Sequence, residues 1–246
     1  MRNIRLTIEY DGTNYEGWQL QTRKRAKTIQ AAIERILKKV LREKIKLIAS
    51  GRTDSGVHAK AQVANFRTNS KISLRKLQWA LNCLLPSDIA IIKIEEASLD
   101  FHSCFDAKSK LYSYTILNRS FRSALMRDRV YFYPYSLNVG VMQKAARALL
   151  GKHDFSSFQA SGRKAKSALR TVKKIKVLRS GCFIRIDIEA DGFLYNMVRN
   201  IAGTLLEIGR GRLEVRDMKR ILRSRNRQLA GPTLPAEGLM LIKVNY

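Results

Sequence analysis

The nine residues Ser50-Gly51-Arg52-Thr53-Asp54-Ser55-Gly56-Val57-His58 set one carboxylate between two glycines, with a guanidinium two positions ahead of it. Such a stretch is either a tight turn, since Asp bonds its own turn backbone well and Gly51 and Gly56 suit one, or a presented catalytic carboxylate. The second use needs a cation, because burial alone raises a carboxyl pKa and a neighbouring guanidinium lowers it. Arg52 is one candidate. Arg199 is another, placed beside Val198 and one turn from Tyr195 at the edge of an apolar stripe. A half-buried arginine there is costly unless a carboxylate meets it; the alternative is a stem along the stripe with its head in water. Tyr112 is the third candidate. An exposed tyrosine on a sheet face stacks a base for roughly 1–3 kcal/mol, and otherwise packs against the sheet's own helices.

Charge says what such a site would act on. Of 246 residues, 47 are Lys or Arg and 20 are Asp or Glu, a formal net charge of +27, far beyond what solubility asks for. The cations run through the chain: Arg23, Lys24, Arg25 and Lys27; Arg75 and Lys76; Arg163, Lys164 and Lys166; and Arg210 to Arg227. A membrane surface would favour one basic helix or tail beside an apolar anchor, whereas distributed cations suit a long phosphate backbone. In that setting a surface carboxylate repels phosphate by about 1 kcal/mol at ~4 Å in water, so Asp54 needs a reason to be present. A non-catalytic RNA-binding protein accounts for the charge equally well but leaves Asp54 without a role.

Other chemistries lack their residues. Metal-dependent nucleases want clustered carboxylates, and Asp54 stands alone. Cys83, Cys104 and Cys182 are odd in number and far apart, and His102 with Cys104 has no two further ligands nearby, so neither a disulfide framework nor a metal site is expected. No apolar run approaches the ~18 residues of a membrane span, and Met1 to Ile8 alternates like a strand rather than a signal peptide. A cytoplasmic protein without a membrane partner is expected.

The elements that must position these residues follow from periodicity. Arg5–Tyr10 alternates as a strand and stops at Asp11-Gly12; Tyr15, Gly17, Trp18, Gln19 and Gln21 read as a polar and aromatic loop rather than a core element. Thr28 caps a helix whose apolar positions Ile29, Ala32, Ile33, Ile36, Leu37, Val40 and Leu41 form one stripe. A short strand at 46–49 leads into the Asp54 loop, and Gln62–Phe66 resumes an extended pattern. Ser73 caps a second helix ended by Pro86, and Ile89–Ile94 reads as a largely buried strand. The order is βαββαβ, the split unit of ferredoxin-like sheets. Beyond a boundary near residue 107 the theme varies. Leu111–Leu117 is a strand with Tyr112, Tyr114 and Ile116 on one face, and 118–136 is an aromatic and basic connector. A helix from Asn138 to Gly151 follows, then a long polar loop opening at His153–Phe158. A hairpin turns at Ser180-Gly181, a helix spans 194–206, a basic helix 215–224, and 239–244 closes the chain as a strand. The expected fold is α+β, two similar ferredoxin/RRM-like halves (1–107 and 108–246) sharing a mainly antiparallel sheet flanked by helices, with a basic cleft between them.

Four stretches carry a resemblance. Tyr10-Asp11-Gly12-Thr13-Asn14-Tyr15-Glu16-Gly17-Trp18-Gln19, Gly51-Arg52-Thr53-Asp54-Ser55-Gly56-Val57-His58-Ala59, Met197-Val198-Arg199-Asn200 and Gly231-Pro232-Thr233-Leu234-Pro235-Ala236-Glu237-Gly238-Leu239 together resemble the tRNA pseudouridine synthase A family, in order and register from residue 4 to 246. The resemblance implies isomerisation of uridines 38, 39 and 40 of the tRNA anticodon arm to pseudouridine, with no metal and no organic cofactor, by a homodimer. It implies Asp54 as the catalytic aspartate, Arg52 as the arginine of the same motif, Tyr112 as the tyrosine that stacks on the target uracil, and Arg199 as the basic residue that pairs with the aspartate. Ser55 stands where many members have alanine, and Asn196 where many have histidine. If about 6–10 phosphates are neutralised, tRNA affinity is expected to fall roughly 10³–10⁵-fold between ~50 and ~200 mM salt; a flat titration would argue against an extended tRNA footprint.

Overall fold

Alternation decides the first strand, β1 (Arg2–Tyr10): Ile4, Leu6, Ile8 and Tyr10 are buried on one face. It runs antiparallel to both β3 (His58–Thr68) and β4 (Ile89–Ala97), with Leu6 opposite Ala64 on one side and Ile94 on the other. Two helices belong to this part of the chain. In α1 (Ile29–Leu41) the Thr28 hydroxyl accepts the Ala31 N–H at 3.3 Å, and Ile29, Ile33, Ile36, Leu37 and Leu41 are buried. In α2 (Leu74–Leu84) Ser73 accepts from Lys76 at 3.4 Å, and extended Leu85 precedes Pro86. The stub β2 (Ile48–Ala49) lies beside β3.

The computed structural model describes residues 1–19, 27–162 and 167–246. Gln21, Arg23, Lys24 and Arg25, and the basic loop residues Arg163, Lys164 and Lys166, lie outside the described residues. The chain divides into two compact units, Met1–Lys108 with Leu241–Tyr246, and Ser109–Met240. In the first unit the order β4-β1-β3, with β2 on β3, is the ferredoxin-like arrangement of a βαββαβ unit. Its other sheet face carries a polar seam. Asn3 donates to the Ser98 and Phe101 carbonyls at 2.8 and 2.9 Å, and Asn65 donates to the Asn3 side chain at 2.9 Å. The Arg5 guanidinium lies over the rings of Phe101 and Tyr246.

The second unit repeats the plan with additions. β5 (Ser109–Leu117) pairs antiparallel with β9 (Phe183–Ala190), setting Tyr112 opposite Ile188 and Tyr114 opposite Ile186. β9 forms a hairpin with β8 (Leu169–Ser180) across Gly181, which has a φ of +56°. β7 (Gly151–Asp154) adds to the far side of β8, and β6 (Tyr131–Phe132) runs parallel beside β5. Three helices, α3 (Val139–Ala146), α4 (Met197–Gly209) and α5 (Val215–Ser224), complete it, and β10 (Leu239–Asn245) closes the chain. The order β5-β9-β8 with α3 and α4 answers to β1-β3-β2 with α1 and α2. The fold class is mixed α and β with mainly antiparallel strands, as expected.

Several elements differ from the sequence reading. Tyr15 and Trp18 are core residues, each only 2% exposed, although their segment has no regular structure. β4 ends the strand order, and Ile92 is 48% exposed there, so continuous isoleucine does not mark a strand buried on both faces. The segment after Gly151 is a strand followed by a 3-10 turn (Ser156–Phe158) rather than a polar loop, with Phe155 and Phe158 fully buried. The strand before the Asp54 loop is only two residues long. α4 starts at Met197 and not at Leu194, because Asn196 adopts a left-handed φ of 57° that interrupts the helical run.

α4 is buried along nearly its whole length, and the chain end lies directly against it. A Cβ on Gly203 would lie 1.9 Å from the Pro232 carbonyl oxygen, and one on Gly231 would lie 2.7 Å from Thr204 backbone. Helix propensity alone favours Ala over Gly by about 1 kcal/mol, so the contact decides the sign. Gly203→Ala is expected to destabilise by roughly 1–3 kcal/mol and to lower the calorimetric Tm by roughly 2–12 °C; an unchanged or raised Tm would contradict this backbone contact.

Candidate active site

The Asp54 loop is shaped by its main chain. The Asp54 carbonyl accepts the Val57 N–H at 3.2 Å, and Gly56 takes the positive φ of +76° that the third position of this turn requires. Before the turn, Ser50 is buried and donates its hydroxyl to Gln62 at 2.6 Å, while Gln62 returns an N–H to the Gly51 carbonyl at 2.9 Å. The turn predicted from the two glycines is therefore present, and its closing hydrogen bond is a backbone one. The Asp54 side chain is half-buried and Arg52 is exposed.

A second segment grips this loop from within the same unit. Trp18 N–H donates to the Thr53 carbonyl at 3.0 Å, and the Tyr15 carbonyl accepts from Gly56 N–H at 3.3 Å and from the Ser55 hydroxyl at 3.1 Å. Gly17, at φ +91°, leaves no room for a side chain, since a Cβ would stand 2.7 Å from the Thr53 carbonyl. Gly12 is packed closer still, since a Cβ there would stand 2.1 Å from the Val57 carbonyl oxygen. Tyr10 shares a 2.7 Å hydrogen bond with the Thr53 hydroxyl; burial pushes the Tyr10 pKa well above the usual tyrosine value, which that bond only partly offsets. Ser55 uses its hydroxyl in this grip.

In the second unit, Tyr112 and Arg199 occupy different elements. Tyr112 on β5 is only 7% exposed, with its ring edge-on to Phe193 at 5.0 Å, so the expectation of an open tyrosine face is corrected. Its neighbour on that face, Tyr114, is fully buried and donates to the Pro235 carbonyl at 2.8 Å. Burial pushes the Tyr114 hydroxyl far up; Glu237 acts in the same direction and Arg199 against it. Arg199 is half-buried on the first turn of α4. Its Nε donates to the Leu234 carbonyl at 2.6 Å and its Nη1 to the Asn196 side chain at 2.8 Å. The guanidinium is thus anchored to protein, and its head does not simply extend into water. Neither bond uses Nη2.

Sequence reading missed the groups behind Arg199. Asn200 and Thr204 are fully buried polar residues one turn apart on α4, and Arg227 and Thr233 reach Asn200 from the chain end. The available signal was two hydrogen-bonding side chains at i, i+4 within the apolar stretch of a helix. Among the described residues no three His, Cys, Asp or Glu side chains gather as metal ligands do, and no helix is long and apolar enough to cross a membrane. Cys83, Cys104 and Cys182 are free thiols.

With this geometry in hand, comparison with known proteins is specific. Residues 6–106 and 145–246 match the family described as tRNA pseudouridine synthase. The tRNA pseudouridine synthase A of Acetivibrio thermocellus is 50% identical over 246 residues, covering 100% of both chains. The enzymes of that name from Thermoanaerobacter sp. and Clostridium acetobutylicum are each 48% identical, again over 100% of both chains. A match of this extent takes in both units and all four sequence motifs, and the chain belongs to the tRNA pseudouridine synthase A family.

Proposed function

We propose that this protein isomerises uridine to pseudouridine at positions 38, 39 and 40 of the tRNA anticodon stem-loop, with Asp54 as the reacting carboxylate. The observation that carries the reading is the Asp54 loop itself, in which the one acidic residue between Ser50 and His58 stands on a backbone-clamped turn in a protein of net charge +27. The reaction needs few groups. The bond between C1′ and N1 of the uracil breaks, the base turns over, a bond forms between C1′ and C5, and the C5 proton is lost while N1 gains one. One carboxylate serves either as nucleophile at C1′ or as base at C2′ to give a glycal.

In this reading Arg199 is the basic residue of the set, and Arg52, exposed in the same loop as Asp54, is the arginine of the motif. Tyr112, buried against Phe193, is the tyrosine that stacks on the target base, and its ring face must be uncovered as the base enters. Extracting that base costs a few kcal/mol, offset by stacking and by phosphate contacts from the cationic surface. The reading needs no metal and no cofactor. Family resemblance extends it to a cytoplasmic homodimer, with the first unit carrying Asp54 and the second Tyr112 and Arg199.

Tritium release from tRNA labelled at uridine C5 measures the reaction directly. Asp54→Asn is expected to bind tRNA as tightly as wild type or more so, since a repulsive charge is gone, and to release label at least roughly 10²–10⁴-fold more slowly. A variant that binds tRNA and releases label at the wild-type rate removes Asp54 from the chemistry. In cells lacking the protein, pseudouridine mapping is expected to show loss at positions 38, 39 and 40; retention at all three would refute the site assignment.

A further inference from the structure

Arg199 is held at a backbone carbonyl, and that carbonyl belongs to a chain segment with no regular secondary structure. What fixes the carbonyl fixes the guanidinium. Residues 230–234 lie along α4, and three of them, Ala230, Gly231 and Thr233, accept hydrogen bonds from one side chain. Arg227 donates from Nη1 to the Ala230 and Gly231 carbonyls at 3.3 and 2.9 Å, and from Nη2 to Asn200 Oδ1 and Thr233 Oγ1 at 3.0 and 3.1 Å. Thr233 donates its own hydroxyl to Asn200 Oδ1 at 2.5 Å. Asn200 in turn donates from Nδ2 to the Phe158 carbonyl at 2.7 Å, so its amide orientation is set by a donor and an acceptor at once. Thr204 accepts the Gly231 N–H at 2.9 Å and donates to the Asn200 carbonyl at 2.8 Å.

The planar fork of a guanidinium can bridge two loop carbonyls and two side chains in one plane, which a lysine ammonium cannot. Arg227 is half-buried and no carboxylate is among these partners, so its ordering rests on neutral acceptors. The next residue along the loop after Thr233 is Leu234, whose carbonyl receives Arg199 Nε and whose N–H returns to the Arg199 carbonyl at 3.4 Å. We propose that Arg227, through Thr233 and Asn200, is a positioning residue that holds the Leu234 carbonyl in place and so orients Arg199 for the reaction. This rests on the reading of Arg199 as part of the catalytic set.

The test compares single-turnover tritium release, tRNA Kd and Tm for Arg227→Gln, Thr233→Val, Arg199→Lys and the Arg227→Gln/Arg199→Lys double variant. Arg227→Gln is expected to slow release at least tenfold with Kd within twofold of wild type, and Thr233→Val, which removes only the hydroxyl link, to slow it at least threefold with little change in Tm. Because Arg227 acts through Arg199, the double variant is expected to be no slower than Arg199→Lys alone. A slow Arg199→Lys beside a wild-type rate in folded Arg227→Gln, or fully multiplicative losses in the double variant, overturns the proposal alone. A weaker Kd with unchanged single-turnover rate means that Arg227 contacts RNA instead, and also overturns it. If Arg227→Gln does not fold, Thr233→Val decides, and a wild-type rate there is negative. A wild-type rate in Arg199→Lys removes the reading of Arg199 and this proposal with it.

Discussion

Close docking of one backbone segment on another is the constraint on which the first unit depends. The Asp54 turn is placed by hydrogen bonds from Trp18 and to Tyr15, main chain to main chain, across a gap that admits only glycine at positions 12 and 17. The same segment then starts α1, since Ile29 and Gln30 donate to the Gly17 and Trp18 carbonyls at 3.2 and 3.0 Å. The first N–H groups of a helix have no partner within it; here the loop that grips Asp54 supplies two of their acceptors. A side chain at either glycine would therefore displace the turn and the helix start together.

The second unit applies the same device to a helix. Gly203 on α4 brings the Pro232 carbonyl against the helix backbone, which lets the chain end run close enough for Leu234 to reach Arg199. Close approach of backbones leaves polar groups that must find partners, because a buried unpaired group costs about 1–3 kcal/mol. Asn200, Thr204, Thr233 and Arg227 supply them. The polar cluster in an apolar helix is thus a consequence of the close contact and the means by which it holds one geometry.

Tyrosines show how position within one strand divides labour. Tyr112 and Tyr114 share a face of β5, yet Tyr114 is spent on the chain end, donating to Pro235 with Gly238 packed against its ring. Tyr112 lies T-shaped against the Phe193 ring at 5.0 Å. Edge-to-face contact fixes the orientation of a ring through its quadrupole, without a hydrogen bond to the ring face.

The α1 stripe, the Thr28 and Ser73 caps, the alternation of β1 and the βαββαβ order were all legible in the residues, as was the Asp54 turn, because each depends on contacts within a few positions along the chain. Burial of Tyr15 and Trp18, the strand at Gly151–Asp154 and the late start of α4 were not. Periodicity is silent on irregular segments, and a single left-handed residue such as Asn196 breaks a pattern that its neighbours satisfy. The sequence by itself determined which residue types could do chemistry and on which elements they stand. Tertiary structure alone decided their partners: Arg199 meets a carbonyl 35 residues away and Tyr114 one 121 residues away. Such bonds join segments that the fold brings together, and nothing in local propensity specifies them.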